Sequence, residues 1–191
     1  LSNKSGGLIG SSTGFKDLDK KLQGIQDGDL IIVAGRPSMG KTSLAMNIAE
    51  NVLFDDDTNG SVLIFSLEMP AESLTTRLLS GMSRLDQQNV RSGMLKDDEL
   101  RLLLKQSDNL KNKPLWIDDS SIISPMELRA KARRLARTEE NGLSLIVVDY
   151  LQLMQLPLSS ENRVNQISEI SRSLKSLSLI HISEPTRRTT I

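Results

Sequence analysis

Cysteine is absent from this 191-residue chain, which excludes disulfide bonds, zinc sites built on thiolates and catalysis by a cysteine nucleophile. Histidine occurs once, at His181, so a metal site built from histidines is excluded as well. The 24 Lys and Arg balance the 24 Asp and Glu, and a net charge of zero gives no global signature for binding nucleic acid or an anionic membrane. No apolar run reaches about 18 residues and no basic-then-apolar leader is present, so we expect no membrane span, no signal peptide and a cytoplasmic location.

Four short apolar runs rich in β-branched residues predict strands at residues 30–34, 62–66, 115–118 and 145–149. Because the runs are continuous rather than alternating, we expect strands covered on both faces. The segments between them have helical spacing, so the pattern predicts an α/β fold with a mainly parallel sheet flanked by helices. A linker rich in Gly, Ser and Thr precedes it over residues 1–12.

One helix start is encoded locally, because Ser124, Pro125 and Glu127 form the pattern of an N-cap serine, a proline at the first helical position and a capping-box glutamate. The helix that follows carries a cluster of five cations: Arg129, Lys131, Arg133, Arg134 and Arg137. They are able to grip phosphate or a neighbouring subunit, but a solvated helix face is the simpler interpretation, and we prefer it.

The stretch GRPSMGKT fits the phosphate-binding pattern G-x-x-x-x-G-K-[ST] without a mismatch, which chance gives in about one chain of this length in a hundred. Lys41 is expected to reach the β- and γ-phosphates of ATP, and the Thr42 hydroxyl to bind Mg²⁺. The backbone N–H groups of the loop and the following helix N-terminus would face the phosphates. The predicted nucleotide-binding residues are Gly35, Arg36, Pro37, Ser38, Met39, Gly40, Lys41, Thr42 and Ser43.

Acidic residues at strand ends are the candidates for the remaining chemistry. Asp149 closes a buried strand and is the predicted second Mg²⁺ ligand, with Asp118 and Asp119 as a rival pair ranked below it. Glu68 follows the second apolar run and is the candidate to polarise the attacking water, although an exposed turn glutamate explains its position equally well.

The segments TGFKDLD, VLIFSLEMP, WIDDSS, LIVVDYLQLM and ENRVNQISEISRSLK, with the glycine loop, resemble in order the C-terminal motor domain of the bacterial replicative DNA helicases of the DnaB family. The resemblance covers residues 13–177 and implies a RecA-like P-loop NTPase core, Glu68 as catalytic base and Asp149 as Mg²⁺ ligand. It also implies a ring of six subunits with ATP between neighbours, single-stranded DNA in the central channel, and primase and a helicase loader as partners. Arg163 becomes a candidate DNA contact, against the alternative of a salt-bridging surface arginine.

Residues 178–191, SLIHISEPTRRTTI, depart from the family pattern, which continues the helix and then forms a strand ending in a Ser-Gln pair. Pro185 would break a helix there. We therefore expect a core that is incomplete at the C-terminus, followed by a foreign or out-of-frame tail.

The predicted parent protein is an ATP-hydrolysing replicative DNA helicase, with this chain alone inactive or weakly active. The alternatives are another RecA-like ATPase, or a nucleotide-binding fragment without enzymatic activity.

Overall fold

The computed structural model describes residues 8–36, 38–150, 168 and 170–176. In chain order the helices and strands are α1 (Lys16–Leu22), α2 (Lys41–Phe54), β1 (Ser61–Ser66), α3 (Ala71–Ser83), α4 (Gln87–Ser92), α5 (Asp97–Lys111), β2 (Leu115–Asp118), α6 (Pro125–Thr138) and β3 (Leu143–Asp149). Residues 170–176 are also helical. Within the described part of the chain, no helix is both long enough and apolar enough to cross a membrane.

The three strands form one parallel sheet in the order β2-β1-β3, as the α/β prediction requires. Each contains one of the predicted apolar runs. Consecutive parallel strands need crossover connections, and helices supply them here. The carboxyl ends of β1 and β3 therefore meet at one edge of the sheet, where Ser66 lies opposite Asp149.

The central strand β1 separates two apolar clusters, because successive side chains of a strand point to opposite faces. Val62 and Ile64 pack with the apolar residues of α2 and α3 on one face. Leu63 and Phe65 pack on the other face with α6 and the helical residues 170–176. Every residue of β1 is buried, which confirms the expectation of a strand covered on both faces.

The flanking strands are less covered than predicted. Residues 143–148 of β3 are only half-buried, and Trp116 of β2 is 47% exposed. The reason is their position, since in the described part of the chain each of them pairs with β1 and with no second strand. Apolar composition alone did not distinguish the central strand from its neighbours.

The strand predicted at residues 30–34 is absent, and this prediction was wrong. Residues 29–36 have no regular secondary structure, and no backbone hydrogen bond joins residues 30–34 to any other described residue. Ile31, Ile32 and Val33 are 42%, 59% and 43% exposed. The physical reason is that a strand exists only as part of a hydrogen-bonded ladder, which strand propensity in one segment does not provide.

The N-terminal segment is joined to α2 by a partly buried polar cluster, here called the N-terminal clasp, of Ser12, Thr13, Asp19 and Asn51. The backbone N–H and hydroxyl of Thr13 donate to Asp19 Oδ1 at 2.8 and 2.6 Å, and Ser12 Oγ donates to Oδ2 at 2.7 Å. Asn51 of α2 donates to the Thr13 carbonyl at 2.8 Å. Burial by itself raises the pKa of Asp19, but these hydrogen bonds outweigh it and hold the pKa below its ordinary value.

The predicted start of α6 is confirmed. Ser124 Oγ accepts from the Glu127 N–H at 3.2 Å, and the Ser124 N–H donates to Glu127 Oε2 at 2.9 Å, with Pro125 at the first helical position. This reciprocal pair satisfies backbone donors that a helix otherwise leaves without partners.

Candidate functional site

The glycine loop turns sharply into α2 at Gly40. Gly40 has φ +82°, in the left-handed region where a side chain is strained, and Ser38 also has a positive φ of 62°. The Leu44 N–H donates to the Gly40 carbonyl at 2.9 Å, so the helical hydrogen bonds begin at once after the turn. This local geometry explains why the sequence has a glycine directly before Lys41.

The mouth of the loop is suited to an anion. The first turn of α2 contains no acidic residue, and its N–H groups carry the partial positive charge of a helix N-terminus. Lys41 Nζ lies across the loop and donates to the carbonyls of Gly35 and Arg36 at 3.0 and 3.2 Å. These two bonds hold the ammonium beside the loop, with donor capacity left for a phosphate oxygen.

A cavity of about 630 Å³ opens at this loop, which is within the usual range for small-molecule sites. Its lining includes five of the predicted nucleotide-binding residues, together with apolar residues that the motif did not indicate: Gly35, Arg36, Met39, Gly40 and Lys41, with Val33, Ala34 and Leu44. Ser43 instead lines a smaller cavity of about 180 Å³ between α2 and α3. Pro37 lies outside the described residues.

Thr42 and Asp149 meet although they are 107 residues apart in the chain. Thr42 Oγ1 donates to Asp149 Oδ2 at 2.7 Å. Asp149 is 9% exposed, at the end of β3, and Thr42 is in the first turn of α2. The two side chains predicted to bind Mg²⁺ therefore place their oxygens side by side at the same edge as the glycine loop.

Glu68 lies at that edge too, in the turn that follows β1. The Leu67 N–H donates to the Asp149 carbonyl at 2.8 Å, so the residue before Glu68 is still tied to β3. Ser66 Oγ donates to the Met69 carbonyl at 2.6 Å and accepts from the Met69 N–H at 3.2 Å, which braces the turn. The Glu68 side chain is exposed.

The sequence did not predict that Ser66 braces the turn that carries Glu68. The pattern that would have indicated this role is a hydroxyl residue at the end of a buried strand, two positions before the candidate base.

The rival acids Asp118 and Asp119 are engaged elsewhere. Asp118 accepts from Lys131 Nζ and from the Ser120 N–H, and these partners lower its pKa although burial alone would raise it. Asp119 Oδ2 accepts from the Ala71 N–H at 3.0 Å, at the start of α3. These hydrogen bonds explain both carboxylates as structural groups that hold neighbouring elements together. Thr42 is bonded to Asp149 and to neither of them.

The described residues contain no cluster of three or more acidic or histidine side chains able to enclose a metal ion by themselves. A Mg²⁺ ion that is held partly by phosphate oxygens needs only one or two protein ligands. The oxygens of Thr42 and Asp149 are of the kind that Mg²⁺ prefers, so the site fits a nucleotide-borne Mg²⁺.

Arg163, the candidate DNA contact, lies outside the described residues, as does the segment 178–191.

Comparison with known proteins identifies the family. The model of the DnaB-like helicase C-terminal domain matches residues 10–180. The chain belongs to this family. Two curated relatives, both replicative DNA helicases DnaB, are 51% identical over 174 residues in Buchnera aphidicola subsp. Acyrthosiphon pisum and 53% identical over 173 residues in Pasteurella multocida. Each alignment covers 90% of this chain but only 37% and 36% of the relative, so the chain spans about a third of the DnaB proteins that it matches.

Two solved structures agree with the fold. The ATPase domain of G40P has a TM-score of 0.84 at 29% identity, covering 93% of this chain and 62% of that one. A DnaB-like replicative helicase described with its interactions with primase has a TM-score of 0.82 at 30% identity, covering 91% and 41%. The predicted fold class and the resemblance to the DnaB family are both confirmed.

Proposed function

We propose that this chain is the motor domain of a replicative DNA helicase, which binds and hydrolyses ATP and couples hydrolysis to movement along single-stranded DNA. The observation that carries the proposal is the hydrogen bond between Thr42 and Asp149. It joins the helix that follows the glycine loop to the end of β3, at an edge that Glu68 shares. Family membership supports the same assignment.

In the proposed site, the loop N–H groups and the N-terminus of α2 hold the nucleotide phosphates, and Lys41 neutralises the β- and γ-phosphates. Thr42 and Asp149 hold Mg²⁺, directly or through water. When bound, Mg²⁺ neutralises charge that develops on the transferred phosphoryl group.

The proposed base is Glu68, which orients and polarises the attacking water. Support comes from its position directly after a residue whose N–H is bonded to Asp149, and from the bracing of its turn by Ser66. An exposed carboxylate is free to turn toward a water near the loop. A base in this position would raise the rate of hydrolysis about 10²- to 10⁴-fold.

The proposed partners are those that the family resemblance implies. We propose that the parent protein forms a homo-hexamer around single-stranded DNA, with Arg163 contacting the strand, and that it interacts with a loader. The relation to a helicase described with primase supports primase as a further partner. We also propose that residues 13–177 form the motor unit, with residues 1–12 as a linker and 178–191 as a foreign or out-of-frame tail.

Nucleotide binding is tested on this chain by titration with a fluorescent ATP analogue in the presence of Mg²⁺. Lys41→Ala should weaken binding about 10- to 100-fold, because it removes a charged donor to the phosphates. Lys21→Ala removes an exposed lysine from α1 and should leave binding unchanged. Equal affinities for the two variants would contradict the proposed phosphate site.

Hydrolysis and unwinding are tested in a chimera in which the 173 aligned residues of the Pasteurella multocida helicase are replaced by those of this chain. Glu68→Gln should retain ATP binding and lower the hydrolysis rate about 10²- to 10⁴-fold. Glu72→Gln, an exposed acid in the first turn of α3, is the matched control. Normal turnover in Glu68→Gln would end the assignment of the base, and hydrolysis without unwinding of a forked duplex would favour another kind of RecA-like ATPase.

A further inference from the structure

Glu68, the proposed base, lies in a short turn of residues 67–70 that joins β1 to α3. The turn starts at the buried carboxyl end of β1 and ends where α3 begins, at Ala71. The Glu68 side chain is exposed and makes no hydrogen bond or ion pair with another described residue. The position of its carboxylate therefore depends on how firmly the backbone of the turn is held.

The first half of the turn is held from β3 and by Ser66. The Leu67 N–H donates to the Asp149 carbonyl at 2.8 Å, and the Leu67 side chain is 4% exposed in the core. Ser66 Oγ bonds to both the N–H and the carbonyl of Met69. These contacts fix the chain on either side of Glu68, but they do not reach the start of α3.

The second half of the turn is held from β2. Asp119 directly follows β2, and its Oδ2 accepts from the Ala71 N–H at 3.0 Å, across 48 residues of the chain. The N-cap of α3 is Pro70, which makes no side-chain hydrogen bond to the first N–H groups of the helix. Asp119 therefore supplies a cap that the sequence around α3 lacks, and its negative charge is favourable at a helix N-terminus.

The strand order explains why both contacts meet at one turn. The central strand β1 lies between β2 and β3, and the three strands are parallel, so their carboxyl ends share one edge of the sheet. The turn after β1 is thus bonded on one side to Asp149 and on the other side to Asp119. A catalytic side chain keeps its geometry only when the groups that support it are themselves fixed.

We propose that Asp119 is a positioning residue for ATP hydrolysis, which fixes the start of α3 and so holds Glu68 where it polarises the attacking water. This inference rests on the proposed function of Glu68. Asp119 acts through the Ala71 N–H and not by contact with the nucleotide. A misplacement of about 1 Å in an active site costs about 10²-fold in rate, so loss of this contact lowers turnover and leaves nucleotide binding intact.

ATP hydrolysis by the chimera with the Pasteurella multocida helicase tests the inference. Asp119→Ala should lower kcat about 10- to 100-fold and change the nucleotide affinity less than about twofold. Asp119→Asn keeps an oxygen that accepts from the Ala71 N–H, and its kcat should stay within about threefold of the wild type. Asp86→Ala is the matched control, because Asp86 accepts from N–H groups at the start of α4, and it should hydrolyse normally. An unchanged kcat in Asp119→Ala, or an equal loss in Asp119→Asn, would overturn the inference.

The Glu68→Gln background separates positioning from a general structural role. Once Glu68→Gln has removed the base, adding Asp119→Ala should lower hydrolysis less than about twofold further, because the carboxylate that it positions is gone. Fully additive losses would overturn the positioning role and leave the assignment of the base intact. A chimera that hydrolyses no ATP before any substitution, or that hydrolyses normally with Glu68→Gln, would overturn the proposed function and the inference with it.

Hydrogen exchange of this chain tests the contact without catalysis. The Ala71 amide should exchange about three- to tenfold faster in Asp119→Ala than in the wild type, and at nearly the wild-type rate in Asp119→Asn. The Leu67 amide is bonded to Asp149 and should not change. Equal exchange of the Ala71 amide in the wild type and Asp119→Ala would overturn the inference.

Discussion

The hydrogen bond between Thr42 and Asp149 is open to a direct energetic measurement. The bond is short, at 2.7 Å, its acceptor is a carboxylate, and Asp149 is only 9% exposed. Hydrogen bonds to charged groups contribute about 1.5–3 kcal/mol, and little solvent is present here to weaken the interaction. We therefore expect a coupling free energy of about 1.5–3 kcal/mol between Thr42→Val and Asp149→Ala.

Urea unfolding of the wild type, both single variants and the double variant supplies this coupling. The measurement is made without nucleotide or divalent cation, so that only the protein contact contributes. The two single losses should sum to more than the loss in the double variant. Thr75→Val is the matched control, because its hydroxyl donates to a backbone carbonyl within α3 and should be additive with Asp149→Ala. A coupling below about 0.5 kcal/mol for the Thr42 pair would refute the reasoning, since distant and unrelated sites reach that value.

Four further variants, one of them a control, probe other features. Gly40→Ala should lose about 1–2 kcal/mol of stability and weaken nucleotide binding, because φ is +82° and no atom lies near the added methyl group, so the cost is backbone strain. Gly93→Ala, with φ +71° and equally open surroundings, should lose similar stability in thermal melts but bind normally. Asp19→Asn should lose about 1–2 kcal/mol near neutral pH. Because the native pKa of Asp19 is lowered, that contribution is complete above the ordinary value of 3.8 and disappears as pH falls through the lower native pKa, so pH-independent destabilisation would contradict it. Phe65→Ala should cost about 3–5 kcal/mol in urea unfolding, since the ring is fully buried, and a loss under 1 kcal/mol would be inconsistent with the core described.

Features encoded by neighbouring residues were predictable from the sequence. The capping box of α6 needs only Ser124, Pro125 and Glu127, and the turn into α2 needs only a glycine followed by a helix-forming run. The same holds for β1, whose apolar residues are buried on both faces. In each case the side chains that decide the conformation lie within a few positions of one another.

Features that depend on distant partners were not predictable in the same way. Residues 30–34 have a composition similar to that of β1, yet among the strands that the structure describes only β1 has a strand on each side. The choice among acids shows the same limit, because the partner of Asp118 comes from α6 and the partner of Asp149 from α2. The sequence ranked Asp149 above Asp118 and Asp119 as a Mg²⁺ ligand, but it contained no direct information on which hydroxyl or ammonium each carboxylate meets.

The N-terminal clasp has a mechanical consequence. Tension on the chain ahead of Ser12 would pass through Asp19 and the Thr13 carbonyl to Asn51, in the last turns of α2. The opposite end of α2 carries Lys41 and Thr42. Tension on the residues before Ser12 would therefore act on the same helix whose first residues lie at the cavity of the glycine loop. A displacement of one end of α2 would therefore be transmitted along the helix axis to the other end, where Thr42 is hydrogen-bonded to Asp149 of β3.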